Sequence, residues 1–130
     1  MRFLLDTNIV SEGIQKPRGR LAKLIAKHGD KVALSTITAC ELRYGESKFP
    51  SERLSGRIGF YLKTFPILPL HPGVATIYGT IRAQLEKAGT PIGPNDLLIA
   101  AHALHQKLIL VTRNEDEFKR VPGLKVENWF

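Results

Sequence analysis

Phe3-Leu4-Leu5-Asp6-Thr7-Asn8 is a short apolar run that stops on three residues that favour helix caps. Such a run reads as a buried strand feeding a helix. The same pattern recurs along the chain. Val32-Ala33-Leu34-Ser35 is a second short strand. After it, Thr38 to Ser47 reads as a helix, with Thr38-x-x-Glu41 matching a capping box. Ile67-Leu68-Pro69-Leu70 is a third strand, and its proline assigns it to an edge or a strand end. Leu108 to Thr112 is the most strand-like segment, and Leu124-Lys125-Val126 is a last small strand.

Helical spacing fills the intervals. Arg18 to His28 carries Leu21, Leu24 and Ile25 on one face, and Ser51 to Thr64 carries Leu54, Ile58, Tyr61 and Leu62. Val74, Ile77, Tyr78, Ile81 and Leu85 make a clear stripe that ends at Gly89. Thr90 to Pro94 is a rigid loop, after which Asn95 can cap a helix over Asp96 to about Gln106. Glu115 to Lys119 is a short helical turn. The strands alternate with helices, and they are short, apolar and without in–out alternation. That is the pattern of an α/β protein whose parallel sheet is covered on both faces.

The chain has 130 residues, which predicts one domain over 1–130 that buries enough surface to fold unaided. Its 43% apolar and 24% charged residues are ordinary for a globular protein. One cysteine, Cys40, excludes a disulfide framework and a zinc site built on paired cysteines, and fits a reducing, cytoplasmic setting. No apolar run approaches ~18 residues, so no membrane span is expected. The first residues reach an acid too soon for a signal peptide. The charge is less ordinary: nineteen Lys and Arg against twelve Asp and Glu give +7. A basic surface points to a polyanion such as nucleic acid.

In a parallel sheet, ligands gather outside the carboxyl ends of the strands. Four acidic positions fall there: Asp6, Glu41, Asp96 and the Glu115-Asp116-Glu117 cluster, each near the start of a helix that follows a strand or a rigid loop. Carboxylates converging on one edge repel one another, and a hard divalent cation such as Mg²⁺ or Mn²⁺ relieves this. Each acid also has a structural reading, as a first-turn residue favoured by the helix dipole or, for Glu41, as half of a capping box. The combination favours a site: Asp6 follows a strand directly and is joined by Thr7 and Asn8, and Asp96 precedes an apolar helix.

Other constellations are weaker. His102 and His105 lie three apart on one helix, but no third ligand of matching type is evident. Cys40 reads as a packed side chain rather than a nucleophile. Gly56-Arg57-Ile58-Gly59 lacks the context of a phosphate loop, and no Walker sequence or serine nucleophile elbow is present. No aromatic RNA-stacking motif is visible. Trp129 and Phe130 are both expected to pack, because exposed they would leave a large apolar patch.

The assembled motifs resemble the PIN-domain ribonucleases, and among them the VapC-type toxins of bacterial toxin–antitoxin pairs. The resemblance rests on Leu4-Leu5-Asp6-Thr7-Asn8, Ser35-x-x-Thr38-x-x-Glu41-Leu42-x-Tyr44-Gly45, Pro91 to Leu104, Val111-Thr112-Arg113-Asn114-x-x-Glu117-Phe118, and the ending Val121-Pro122-Gly123-Leu124…Glu127-Asn128-Trp129. It implies a three-layer α/β/α sandwich with a mainly parallel sheet. It implies a Mg²⁺- or Mn²⁺-dependent endoribonuclease, with tRNA among its substrates, that inhibits translation. Asp6, Glu41 and Asp96 match the family's acids, with Asp6 and Asp96 as principal metal ligands. Many PIN domains place Asp after the Thr-Arg pair, where this chain has Asn114. The fourth acid then falls to Glu117, with Asp116 as the alternative, and Thr7 and Thr112 bond to the shell of the metal. The resemblance also implies a homodimer and a cognate antitoxin that wraps the toxin. A PIN-like nuclease outside such a pair, and a nucleic-acid-binding module whose acids are only caps, stay open at this point.

Overall fold

A computed structural model describes all 130 residues. Five parallel strands form one sheet in the order β3-β2-β1-β4-β5: β1 Phe3–Leu5, β2 Val32–Ser35, β3 Ile67–Leu68, β4 Ile109–Val111 and β5 Val126–Glu127. The central strand pairs Leu5 with Leu34 on one side and with Val111 on the other. The carboxyl ends of β1, β2 and β4 are therefore level.

Seven helices connect the strands: α1 Thr7–Gln15, α2 Arg20–Lys27, α3 Thr36–Lys48, α4 Glu52–Thr64, α5 Val74–Lys87, α6 Pro94–Gln106 and α7 Glu115–Phe118. The pleat sends alternate residues to opposite faces. Phe3, Leu5, Val32, Leu34 and Val111 join a core with Ile9, Ile14, Ile25, Ile58 and Tyr61 from α1, α2 and α4. Leu4, Ala33 and Leu110 join a second core with Val74, Ile81, Leu85, Ile99 and Ala100 from α5 and α6. Both faces of β1 are thus covered, which is why it carries no polar residue. The architecture is the expected three-layer sandwich, and its sheet is wholly parallel.

Several local expectations are corrected. Helix α3 begins at Thr36, and its cap is Ser35, whose Oγ accepts the Ile37 N–H at 3.0 Å. Ser35 is the last residue of the strand and still extended, so it caps before Thr38 is reached. Helix α6 starts at Pro94 rather than after Asn95, since proline's fixed φ suits the first helical position. Cys40 is exposed, because it lies about 200° around α3 from the inward-facing Thr38 and Leu42. Trp129 packs against Phe3 and His28, with ring centroids 5.0 and 4.9 Å away, but Phe130 is 37% exposed. One aromatic fills that cleft, and the next residue falls outside it.

Candidate active site

Asp6 leaves β1 at its carboxyl end and is the cap of α1. Its backbone N–H donates to Val111 O at 2.8 Å, which ties it to β4. The carboxylate is divided between two tasks. Oδ1 accepts the Thr7 N–H at 2.8 Å, and Oδ2 accepts the Thr112 hydroxyl at 2.8 Å. Thr112 is fully buried and its Oγ1 in turn accepts the Asn114 N–H at 3.0 Å. Asp6 is 3% exposed, and burial is the main reason its pKa is raised, against the lowering effect of these two hydrogen bonds.

Thr7 carries the network to the next strand–helix junction. Its hydroxyl donates to Glu41 Oε1 at 2.8 Å and lies 3.2 Å from Thr38 Oγ1. Glu41 is therefore not the closing member of a capping box. Thr38 is fully buried against the Thr7 hydroxyl and is not the cap of α3. The sequence could not separate these roles, because Thr and Glu three apart share a helix face in either case.

Asp96 sits in the first turn of α6, with Oδ2 close over Gly93, and Glu117 comes from α7. The Asp96 pKa is pushed up to about 6, first by burial, then by the charges of Asp6 and Glu117, a hydrogen bond with Glu117, and the charge of Glu41. The Asp6 carboxyl feels Glu41 and Glu117 in the same way. Carboxylates from four helices or caps thus meet at the carboxyl edge of the sheet, with Glu41 and Glu117 acting on both Asp6 and Asp96. A hydrogen bond between Asp96 and Glu117 needs one shared proton, which a raised pKa supplies.

The alternative fourth acid does not enter this group. Asp116 is exposed and contributes to neither shifted carboxyl. Glu115 is engaged with Lys119 Nζ at 3.5 Å and with Asn128 Nδ2 at 3.4 Å. Asn114 caps no helix with its side chain, and its backbone N–H is what reaches the network. Asn8, which the sequence offers only as a cap former beside Asp6, ties the two strand ends together: its Oδ1 accepts the Arg113 N–H at 3.3 Å.

The two histidines of α6 go to different partners. His102 is buried with Nδ1 2.8 Å from Ser35 Oγ, and burial lowers its pKa. His105 stacks on His71 with centroids 4.9 Å apart. No set of three or more His, Cys, Asp or Glu side chains is arranged as a ready-made metal cage. The donor set at the sheet edge is nonetheless all oxygen. Mg²⁺ characteristically keeps several waters and takes only one or two carboxylates, so a complete cage is not what this chemistry requires.

Comparison with known proteins agrees with the fold and the motifs. The family pattern of the PIN domain matches residues 3–124. The chain is 40% identical over 131 residues to Ribonuclease VapC2 of Haemophilus influenzae, covering 99% of this chain and 98% of the relative. It is 37% identical over 131 residues to the tRNA(fMet)-specific endonuclease VapC of Shigella flexneri, with the same coverage of 99% and 98%. Among solved structures, it is similar to VapBC2 from Rickettsia felis bound to a DNA fragment from its promoter, with a TM-score of 0.92, 35% identity and full coverage of both chains. It is also similar to DNA-bound VapBC from Salmonella typhimurium, with a TM-score of 0.94, 34% identity, and 100% and 99% coverage. The chain belongs to the PIN-domain family, in its VapC branch.

Proposed function

We propose that this chain is a metal-dependent endoribonuclease and the toxin of a toxin–antitoxin pair, with tRNA as its substrate class. The observation that carries the reading is the gathering of acids around Asp96, whose pKa is pushed up to about 6, first by burial and then by Asp6, Glu117 and Glu41. Relatives of near-equal length bear the names of a ribonuclease and a tRNA(fMet)-specific endonuclease. The rival reading of the acids as helix caps is weakened at Glu41, which bonds Thr7 instead.

Asp6 and Asp96 would hold Mg²⁺ or Mn²⁺, both hard cations suited to carboxylate oxygen. When bound, such an ion neutralises charge on the phosphate and lowers the pKa of water. Thr112 and the Thr7 N–H fix the Asp6 carboxylate, while the Thr7 hydroxyl fixes Glu41. Glu41 and Glu117 are the carboxylates left to orient and deprotonate the attacking water. The net charge of +7 holds flanking phosphates on the surface outside the acidic pocket.

The partner is a cognate antitoxin. A groove of about 700 Å³ between α1, α2 and α4, lined by Ile14, Ile25, Phe60, Tyr61 and Phe65, is where an apolar antitoxin segment fits. Solved neighbours of this fold include a toxin–antitoxin complex from Klebsiella pneumoniae, 26% identical with a TM-score of 0.76. We also assign the chain to a homodimer, by its resemblance to toxins that pair. No helix is long and apolar enough to cross a membrane.

The test is cleavage of total RNA and of single-stranded DNA, with Mg²⁺ and with excess chelator. RNA cleavage lost on chelation and restored by Mg²⁺ is expected. Absence of RNA cleavage, or cleavage indifferent to chelator, would overturn the reading.

A further inference from the structure

Arg113 follows Thr112, the residue whose hydroxyl holds Asp6. Its backbone is pinned by the Asn8 Oδ1 contact. Its side chain, however, is exposed and does not turn into the acids. It enters no ion pair with any carboxylate. Instead the guanidinium lies over the Phe130 ring, 4.4 Å from its centroid.

That platform is itself held in place. The Phe130 N–H donates to Asn128 Oδ1 at 2.9 Å, and Asn128 Nδ2 reaches Glu115 Oε1 at 3.4 Å. Trp129 is buried, its Nε1 donates to Glu127 Oε1 at 3.1 Å, and its carbonyl accepts from Arg20 at 3.2 Å. Phe130 is therefore a fixed ring on a tied-down tail, although it is partly exposed.

The Arg113 backbone starts one residue from Thr112, the partner of Asp6, and an unpaired cation there is drawn toward the acids. Cation–π contact with Phe130 gives it an alternative seat while leaving its N–H groups facing solvent. Those N–H groups form a planar fork that matches two phosphate oxygens. An acidic pocket repels the nucleic-acid backbone on either side of the scissile bond, so a flanking phosphate is best held by a cation whose backbone starts at that edge, as that of Arg113 does one residue after Thr112.

We propose that Arg113 binds an RNA phosphate flanking the scissile one, and that Phe130 positions it there by stacking. The proposal rests on the ribonuclease reading above. Arg113 thus helps to set KM, and Phe130 is a positioning residue that acts through it.

The experiment measures KM and kcat for RNA cleavage at several salt concentrations, and binding of a single-stranded oligoribonucleotide by fluorescence anisotropy without metal. Arg113→Ala is expected to raise KM by about 10-fold, with kcat within about twofold, and to flatten the slope of log affinity against log salt by about 1. Arg113→Lys keeps the charge but loses the fork, so its KM falls between the two. Phe130→Ala is expected to raise KM by about threefold through the loss of the stacked seat. Phe130→Tyr restores the wild-type value. The double alanine variant is expected to be no worse than Arg113→Ala alone, because Phe130 acts only through Arg113.

Wild-type KM and salt slope in Arg113→Ala would overturn the proposal, and so would a Phe130→Ala loss that multiplies with that of Arg113→Ala. If the wild type cleaves RNA and Arg113→Ala matches it, this inference alone falls. If the wild type cleaves no RNA, the ribonuclease reading falls, and the anisotropy arm still decides whether Arg113 holds a phosphate.

Discussion

The Thr7 hydroxyl donates to Glu41 Oε1 across 2.8 Å, joining the end of one strand to the helix that follows its neighbour. Asp6 precedes Thr7 and is held by the Thr7 N–H. One residue therefore sets the positions of two carboxylates, the first through its backbone and the second through its side chain.

Thr7→Val removes the hydroxyl at nearly constant shape and leaves the N–H in place. Glu41 then loses its partner while Asp6 keeps its own. The expected outcome is a loss of RNA cleavage of about 10- to 100-fold, the usual cost of removing an orienting partner. Stability is expected to fall by only about 1 kcal/mol, the typical net value of one hydrogen bond. Cleavage rates and denaturant midpoints of the two proteins check this. Wild-type activity in the variant would show that the Thr7–Glu41 bond has no part in the chemistry.

Asp6→Asn separates the charge of the carboxylate from its cap. Asn caps helices about as well as Asp, and one side-chain oxygen can still accept from Thr7 or Thr112. The raised pKa of Asp6 shows that its charged form is disfavoured in the fold, mainly by burial. Removing that charge offsets the hydrogen bond that is lost. The thermal midpoint is expected to move little, while cleavage falls by more than about 100-fold, beyond the cost of losing an orienting partner. Mg²⁺-titrated cleavage and melting check this, and a wild-type rate with wild-type Mg²⁺ dependence would remove Asp6 from the site.

The same carboxyls make the metal-free protein pH-sensitive in an uncommon direction. Asp96 has a folded pKa of about 6, above its ordinary value of 3.8. Between those values the folded state binds more protons than the unfolded state, so stability falls as pH rises through that window. Asp6 adds a shift in the same direction. Without metal, the thermal midpoint is expected to decline as pH rises from about 4 to about 6, and Asp96→Asn is expected to flatten the decline. Added Mg²⁺ competes with the protons, so it should stabilise more at pH 7.5 than at about pH 5. His102, whose pKa is lowered by burial, contributes the opposite slope below its ordinary value, so the difference between the wild type and Asp96→Asn is the readout, and a pH profile unchanged in Asp96→Asn would contradict the shift.

The strands were legible because burial on both faces leaves no polar residue in β1, and the period-2 split of Phe3 and Leu5 from Leu4 follows from the pleat. The acids were legible because strand ends in a parallel sheet share one edge. What stayed hidden depended on position within a turn. Ser35 and Thr38 are both good caps, and only the end of β2 decides between them. Pro94 and Asn95 compete for the start of α6, and the proline's fixed φ decides. Arg113 carried no signal of its own, because its partner is the chain's last residue, brought to it only by the fold.

Glu117 and Asp116 are adjacent, equally acidic and one helical step apart, so substitution of each by its amide tests whether position alone assigns the fourth acid. Glu117 acts on both Asp6 and Asp96, whereas Asp116 is exposed and acts on neither. Glu117→Gln removes a negative charge from the cluster, and the Asp96 pKa is expected to fall back toward its ordinary value. It also removes one of the two carboxylates left to orient the attacking water, so cleavage is expected to drop by about 100-fold or more, in the range of a lost general base. Asp116→Asn changes a solvated side chain, and both its cleavage rate and its melting profile are expected to match the wild type within about twofold and about 0.5 kcal/mol. Titration of the Asp96 carboxyl by NMR, run beside the cleavage assay, separates charge from fold. An Asp96 pKa unmoved in Glu117→Gln, or a large loss in Asp116→Asn, would transfer the role of fourth acid from Glu117 to its neighbour.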